Sequence, residues 1–506
     1  MSAIGASVGG TLMLGATPIR PLGGTFYSSL QQSDADRILV LVQLDGGNDG
    51  LNTVVPFEDD EYYQVRPGIA IQRSQTLAVN DQVGFHPAFE QLMPLYSEGQ
   101  MAVLQNVGYP EQDLSHFRST DIWMSASDPA DYLNTGWVGR SMQERAGVDV
   151  QLLDYPLAVQ LGRGVPLLLK GEERSMGMSV SSTSTFERLV NSGKFYDESA
   201  VADSATGSEI AYMRSVANDA FRYANAIQDA AQAGSNQTEY PNGNNLADNL
   251  AIVAKLIKGN LGAKIYHVVI GGFDTHANQP NRHTELLTKL AEAVAAFQAD
   301  ITAGGWQEQV LTMTFSEFGR RVEQNASLGT DHGTAAPLFL FGPTVAGGLY
   351  GAVPSLTDLD RYGNLKASYN FRNVYATVLQ DWFGFSAEAT ASIIGEAYPS
   401  LNFVTNPIFI ANEAPAAVNT FELHQNYPNP FVGQTTLSFT LSQTSFVKLR
   451  VFDTQGRAVQ TVVDRLLTSG RHEIPFQSTG LPSGRYFVRL ETPEGGGMTR
   501  AMTVLR

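Results

Sequence analysis

Four short polar clusters hold the residues of this chain best suited to chemistry: Asp45-Gly46-Gly47-Asn48-Asp49, Asp274-Thr275-His276, Ser316-Glu317-Phe318-Gly319-Arg320-Arg321 and Thr330-Asp331-His332-Gly333. Three of them follow apolar runs that read as buried strands: Ile38 to Leu44, Ile265 to Ile270 and Val310 to Phe315. A carboxylate or imidazole at the C-terminal edge of a parallel strand faces the crevice in which open α/β sheets bind ligands. Brought together there, carboxylates and imidazoles suit a divalent metal ion.

Each cluster has a metal reading and a plainer one. Asp45 comes directly after its strand and before two glycines that leave the approach to an ion clear; the plainer reading is a turn residue capping a loop. Asp274 and His276, two apart in an extended loop, project to one side and would chelate one ion. The alternative is a turn in which Asp274 accepts from nearby backbone N–H groups. Asp331 and His332 precede the apolar run Pro337 to Phe341. Of the eight histidines in the chain, His276 and His332 both lie close to acids in Gly-flanked loops, as metal ligands or as loop caps.

Two further groups bear on a reaction. Glu317 is followed by Arg320 and Arg321, whose guanidinium forks bind phosphate or sulfate oxygens well. An arginine pairing with Glu317 to hold the loop is an equal reading of Arg320. The segment Ser115-His116-Phe117-Arg118-Ser119-Thr120 offers a hydroxyl nucleophile, Ser115 first and Thr120 second, with His116 to move protons. Its plainer reading is a helix start capped by Ser115.

The elements that must position these groups lie between about Ser33 and Ala411, where strand-like runs alternate with helical patterns. Apolar residues recur at three- and four-residue spacing over Ser208 to Ala231, Asn245 to Leu256 and Arg282 to Ala303, which predicts helices there. The last of these lies between the strands ending at Ile270 and Phe315, a βαβ unit. The expected fold is therefore α/β, with a mostly parallel sheet flanked by helices.

Bulk composition narrows the function classes. At 506 residues more than one domain is expected, and 43% hydrophobic with 16% charged residues is ordinary for a globular protein. The formal charge is -17, from 33 basic and 50 acidic residues, with no basic stripe, so nucleic acid is not an expected partner. The chain has no cysteine, which excludes disulfides, thiolate catalysis and cysteine-ligated metals. No window is apolar enough for a transmembrane span.

Both ends differ from the body. Residues 1–32 are read as a signal-like or disordered N-terminus: Met1 to Pro18 resembles the apolar region of a signal peptide, with Ala16 near a cleavage point. No charged residue precedes it, so a basic, twin-arginine-type leader upstream is one expectation and a disordered Gly/Ala-rich start the other. At the far end, 412–420 reads as a linker. Beyond it, Thr435 to Leu441, Phe446 to Asp453, Gly470 to Phe476 and Gly484 to Glu491 have strand length between turn residues, which predicts a small all-β sandwich over 421–506. That module carries nine basic and six acidic residues, +3, which leaves -20 for the rest.

The module resembles the C-terminal sorting domain of the type IX secretion system in Asn426-Tyr427-Pro428-Asn429-Pro430-Phe431, Val451-Phe452-Asp453-Thr454-Gln455-Gly456-Arg457 and Leu481-Pro482-Ser483-Gly484-Arg485-Tyr486-Phe487. The resemblance implies export through the periplasm, then secretion or attachment at the cell surface, with the type IX machinery as partner through 421–506. The body, 33–411, resembles the DUF1501 family, similar to a divergent branch of the alkaline phosphatase and sulfatase superfamily. The resemblance rests on Leu44-Asp45-Gly46-Gly47-Asn48-Asp49-Gly50, His86-Pro87, Asn106-Val107-Gly108-Tyr109, Ser115-His116-Phe117-Arg118, Phe273-Asp274-Thr275-His276, Ser316-Glu317-Phe318-Gly319-Arg320 and Gly329-Thr330-Asp331-His332-Gly333.

It implies an alkaline phosphatase-like fold and a metal-dependent hydrolase of phosphate or sulfate esters. Asp45, Asp274, His276, Glu317, Asp331 and His332 would hold zinc, calcium or magnesium; Ser115, His116 and Arg320 would act on the ester. The chain departs from the superfamily pattern at Glu317-Phe318, where an Asp-His pair is usual, and in the close spacing of Asp274 and His276. The rival expectation is a surface binding or structural protein that kept the fold without catalysis.

Overall fold

The computed structural model describes residues 12–14, 17–19, 37–146, 155–162, 164–172, 175–180, 196–197, 204–405, 421–424, 426–441, 445–452, 458–492 and 496–505. The linker 412–420, Ala16 and the tail segment 453–457 lie outside the described residues, as does most of 1–32, of which the short strands Leu12–Leu14 and Thr17–Ile19 are described.

The strands of the large sheet are β1 (Ile38–Asp45), β2 (Met101–Gly108), β3 (Ala158–Leu161), β4 (Gly177–Val180), β5 (Ile265–Gly271), β6 (Val310–Phe315), β7 (Ala336–Phe341), β8 (Gly348–Tyr350) and β9 (Tyr369–Asn370). Their order is β8-β2-β7-β6-β1-β5-β3-β4, with β9 also paired to β2. All of these strands run parallel except β7, which is antiparallel to both β6 and β2. The expectation of a mostly parallel sheet flanked by helices holds.

The flanking helices are α1 (His116–Ser125), α2 (Trp137–Ala146), α3 (Ala205–Ala233), α4 (Asn245–Lys258), α5 (Gln279–Ala303), α6 (Phe371–Thr377) and α7 (Ala387–Ile394). Alternation along β1 explains the layering, because successive side chains of a strand point to opposite faces. Val40, Val42 and Leu44 pack with Leu250 and Val253 of α4 and Leu290 and Val294 of α5. Leu39 and Leu41 pack with Ile122 of α1, Trp137 of α2 and Tyr375 of α6. A strand buried on both faces must be apolar throughout, which is why 38–44 is a nearly unbroken hydrophobic run.

Helix α5 begins earlier than its apolar periodicity predicts, at Gln279 rather than Arg282, with Pro280 in its first turn. Proline fits there because the first N–H groups of a helix need no intrahelical acceptor. The β5-α5-β6 unit forms as expected, with β1 lying between its two strands. The register sets Gly271 beside Asp45 and Phe315 beside Gln43, so three of the polar clusters start at one edge of the sheet.

The chain divides into two compact units, Met1–Phe409 and Ile410–Arg506. The second has a three-stranded sheet (Phe421–Leu423, Gln434–Leu441, Gly470–Gln477) and a five-stranded one (Phe431–Val432, Ser445–Phe452, Ala458–Leu467, Gly484–Thr492, Gly496–Leu505). Phe439, Leu449, Val451, Phe476, Val488 and Met502 form its core. Four of these strands go beyond the four segments read from the sequence: the short Phe421–Leu423 and Phe431–Val432, and the longer pair Ala458–Leu467 and Gly496–Leu505. Asp464 and Arg465 interrupt the apolar pattern of Ala458–Leu467, and paired glycines open Gly496–Leu505.

Candidate metal centre

At that edge the chain turns tightly. Gly46 and Gly47 have φ of +118° and +84°, and a Cβ on Gly46 would lie 2.4 Å from the backbone nitrogen of Asp274. Only glycine lets the loop after β1 approach the loop after β5 so closely. Gly329 does the same against the backbone of His276, where a Cβ would lie 2.2 Å from the carbonyl carbon. A two-stranded ribbon, Gly319–Arg320 against His332–Gly333, carries His332. Helix α1 starts at His116 and carries it from the other side.

Three imidazoles face one carboxylate oxygen. Asp274 Oδ1 lies 2.9 Å from Nε2 of His276, 3.2 Å from Nε2 of His332 and 3.5 Å from Nε2 of His116. The Nε2 atoms of His276 and His332 are 3.0 Å apart. His116, Asp274 and His332 offer ligand atoms all within 4.8 Å of one another, and His276 adjoins two of them.

The far nitrogen of each ring is occupied. Nδ1 of His276 meets Asp331 Oδ1 at 3.0 Å, Nδ1 of His332 meets the Leu114 carbonyl at 2.8 Å, and Nδ1 of His116 meets Glu317 Oε1 at 2.8 Å. A carbonyl and an ionised carboxylate only accept, so His276 and His332 carry their proton on Nδ1. Glu317 Oε1 also accepts from the Gly46 N–H at 2.8 Å, which makes it the acceptor for His116. Each Nε2 then presents a lone pair toward Asp274. Lone pairs and a carboxylate at these separations repel unless positive charge lies among them; the Arg320 guanidinium, 2.7 Å from Asp274 Oδ1, supplies one such charge, and a cation between the rings would supply another. Burial holds the His332 ring below its ordinary pKa, so protonation is disfavoured there. Imidazoles oriented by acceptors on the opposite nitrogen are the usual outer shell of a metal site, and three nitrogens with one carboxylate oxygen suit zinc. The residues present therefore fit a divalent cation, with a donor set richer in nitrogen than calcium or magnesium prefer.

The acids divide by environment. Burial disfavours the Asp274 anion, yet the Arg320 guanidinium 2.7 Å away, with His332 and His276, holds its carboxyl down to about 2. Burial raises the Asp45 carboxyl, with His116 opposing and Asp274 adding to the rise. Glu317 is fully buried and raised mainly by that burial, and its Oε2 makes no hydrogen bond among the described residues.

The structure thus gives several sequence-named residues more specific places. Glu317 and Asp331 contact the imidazoles of His116 and His276 from behind. His116 joins the residues whose donor atoms could hold a metal ion. Arg320 is buried and donates to the carbonyls of Gly47, Thr330, Phe273 and Gly46 and to Asp274, which leaves it committed to holding the loops and not turned to an anion. It pairs with Asp274 instead of Glu317. Phe318, at the position where the resembled superfamily has an imidazole, packs its ring 4.9 Å from His116 and 4.6 Å from His332, centroid to centroid.

Two cavities are lined by residues at or just before the start of α1. One of about 500 Å³ is lined by Asp45, Gly46, His116, Phe117, Thr120, Asp121, Gly272 and Asp274. The other, about 1050 Å³, is lined by residues that include Leu114, Ser115, Arg321 and Tyr362. Thr120 therefore shares a cavity with Asp45 and Asp274, and Ser115 does not. Ser115 is the N-cap position of α1, where its side chain makes no capping hydrogen bond.

Beneath the site lies a polar network that sequence reading missed. Asp49 pairs with Arg66 at 2.7 Å, both fully buried, and accepts from Gln279; Arg66 also donates to Asn52 and to the Val322 carbonyl. Asn48 Oδ1 meets His283 Nε2 at 3.0 Å and the Thr53 hydroxyl. Asn48 and Asp49 belong to the first polar cluster, but their partners Arg66, Gln279 and His283 lie far along the chain, and Arg66 and His283 stand alone in the sequence. The Leu114 carbonyl has no side-chain signature at all.

The family described as "Protein of unknown function (DUF1501)" matches residues 36–390, and the "Secretion system C-terminal sorting domain" matches 425–503. The sorting domain marks an exported protein, secreted or held at the cell surface. No helix among the described residues is long and apolar enough to cross a membrane. No curated protein sequence matches the chain. Similar solved structures include PorZ, a surface component of the type IX secretion system of Porphyromonas gingivalis, at 19% identity over 17% of this chain and 11% of that one, TM-score 0.13. The chain spans about a tenth of that protein's length. The PsFucS1 sulfatase from Pseudoalteromonas sp. is 10% identical over 90% of this chain and 86% of that one, TM-score 0.31. The lipoteichoic acid synthase LtaP from Listeria monocytogenes is 8% identical over 72% and 77%, TM-score 0.32.

Proposed function

We propose, starting from the fact that the chain belongs to the DUF1501 family, that it is an exported hydrolase of phosphate or sulfate esters working with a divalent cation. The observation that supports this most is the convergence of three Nε2 atoms on Asp274 Oδ1, each ring held from behind by an acceptor. His116, His276, His332 and Asp274 would hold the cation, zinc by preference of the donor set. When bound it would polarise the ester and favour negative charge on the transferred group.

The remaining roles fall to residues of the smaller cavity. Thr120 supplies the nucleophilic hydroxyl, since it lines the same cavity as Asp45 and Asp274. Asp45, whose carboxyl is raised by burial, takes the hydroxyl proton, because a carboxylate with a raised pKa is a stronger proton acceptor. Attack forms the bond from the Thr120 oxygen to phosphorus or sulfur and breaks the bond to the leaving alcohol's oxygen, which takes the proton back from Asp45; water, giving a proton to Asp45, then attacks the same phosphorus or sulfur, and the Thr120 oxygen leaves and is reprotonated. Glu317 and Asp331 keep His116 and His276 in the ligating tautomer. Arg320 fixes Asp274.

A second reading, a surface protein that uses the cation for structure alone, draws support from Arg320 being committed to the loops. Metal analysis of the purified protein together with a screen of aryl phosphates and aryl sulfates separates the two. Bound metal with turnover of one ester class supports the hydrolase; bound metal without turnover supports the structural reading; neither metal nor turnover sinks both.

A further inference from the structure

We infer that the ester's leaving alcohol is a sugar ring, stacked on Phe117 and hydrogen-bonded by Asp121. This rests on the hydrolase reading of the same site and adds the substrate class. Helix α1 presents two rows to the smaller cavity. His116 and Thr120 form one and Phe117 and Asp121 the other, because residues four apart lie on one face of a helix. The first row carries the chemistry. The second puts a phenyl ring and a carboxylate side by side at the cavity's edge.

Phe117 is 88% exposed, although the residues just after it, Arg118 and Ser119, are buried. A single exposed hydrophobic residue is commonplace on a surface. This one lines a cavity together with the ligand group, where an aromatic face left in water offers stacking area to whatever binds there. The cavity, about 500 Å³, has the size of small-molecule sites. A sugar ring matches both members of the outer row: its C–H face is apolar enough to lie on phenylalanine, and its hydroxyls donate to a carboxylate. A simple alkyl ester would use neither. An aryl ester would use the ring alone.

The test measures kcat/KM of the metal-loaded full chain and its Phe117→Ala and Asp121→Asn variants on three esters, each as phosphate and as sulfate: ethyl, 4-nitrophenyl and glucose 6-linked. Phe117→Ala is expected to lower kcat/KM about 10-fold on the glucose and aryl esters and to leave the ethyl ester unchanged. Asp121→Asn is expected to affect the glucose ester alone. Equal losses on all three esters, or no loss on any, overturns the inference. Saturation-transfer NMR with methyl glucoside gives a readout independent of turnover. Transfer to the ring protons in the native chain that is lost in Phe117→Ala supports stacking even if no ester is hydrolysed, in which case the hydrolase reading alone fails. Absent transfer in the native chain, or equal transfer in the variant, overturns the sugar assignment.

Discussion

Nε2 of His276 and Nε2 of His332 lie 3.0 Å apart, while the opposite nitrogen of each ring contacts an acceptor, Asp331 Oδ1 and the Leu114 carbonyl. Two Nε2 atoms at that distance, with Asp274 Oδ1 within 3.2 Å of both, form a cluster of donor atoms that a divalent cation would join. The proposed cation site and the predictions below rest on this pair.

The outer acids should govern metal affinity without governing the fold. Asp331→Asn and Glu317→Gln are each expected to weaken zinc binding about 10- to 100-fold, the usual effect of losing an outer-shell partner. Competition titration against a chelator measures it. Unchanged affinity in both variants would count against the assignment of Glu317 and Asp331 as orienting groups.

Arg320 should behave as a structural residue. Arg320→Met removes donors from four buried carbonyls, at a cost of about 1–3 kcal/mol for each one left unsatisfied, and takes its partner from the half-exposed carboxylate of Asp274, which adds little. The melting temperature of the metal-free protein is expected to fall by several degrees. A variant that melts normally but has a raised KM would assign Arg320 to the ester anion instead.

The two hydroxyls of the 115–120 segment give opposite expectations. Thr120→Ala should cut turnover by about 10³-fold or more, the order expected on losing a nucleophile. Ser115→Ala should stay within about 2-fold of the native rate, since Ser115 lines the neighbouring groove. Initial rates on the best aryl ester decide between them, and the reverse pattern would return the role to Ser115.

Stability should fall on mild acidification even without metal. Burial lowers His283 to about 3 and His267 to about 4, so both stay neutral in the folded chain. The unfolded chain takes up protons at these positions below about pH 6.5, so it gains relative to the folded state from there down to the folded pKa values. Each group then removes up to about 1.4 kcal/mol of stability per pH unit below 6.5. Urea titrations of chelator-treated protein at pH 7 and pH 5 are expected to show a lower midpoint at pH 5. Equal midpoints would mean that these rings become charged inside the fold.

Much of the scaffold was legible because its signals are local. The buried strand Ile38–Asp45 shows as an apolar run, and the helix Asn245–Lys258 shows as period-3.6 spacing. The clusters at the strand ends were legible for the same reason, since a parallel strand of known direction tells where its last residue points. What stayed hidden depends on pairing across long separations. Glu317 and His116 are 201 residues apart, and nothing in either segment says that the carboxylate lies against the far nitrogen of the imidazole. Arg320 was ambiguous because an arginine beside acids reads alike as an anion binder and as a loop clamp. Its four carbonyl acceptors, on loops following three different strands, resolve that only in three dimensions.

The most direct test of the central claim is anomalous diffraction at the zinc edge from crystals of zinc-loaded protein. The expected result is an ion bound by Nε2 of His116, His276 and His332 at about 2.0–2.1 Å and by a carboxylate oxygen of Asp274 at about 2.0–2.2 Å. An ion held by Asp45 and Glu317 without the three imidazoles, or no ion near Asp274 at saturating zinc, would contradict it.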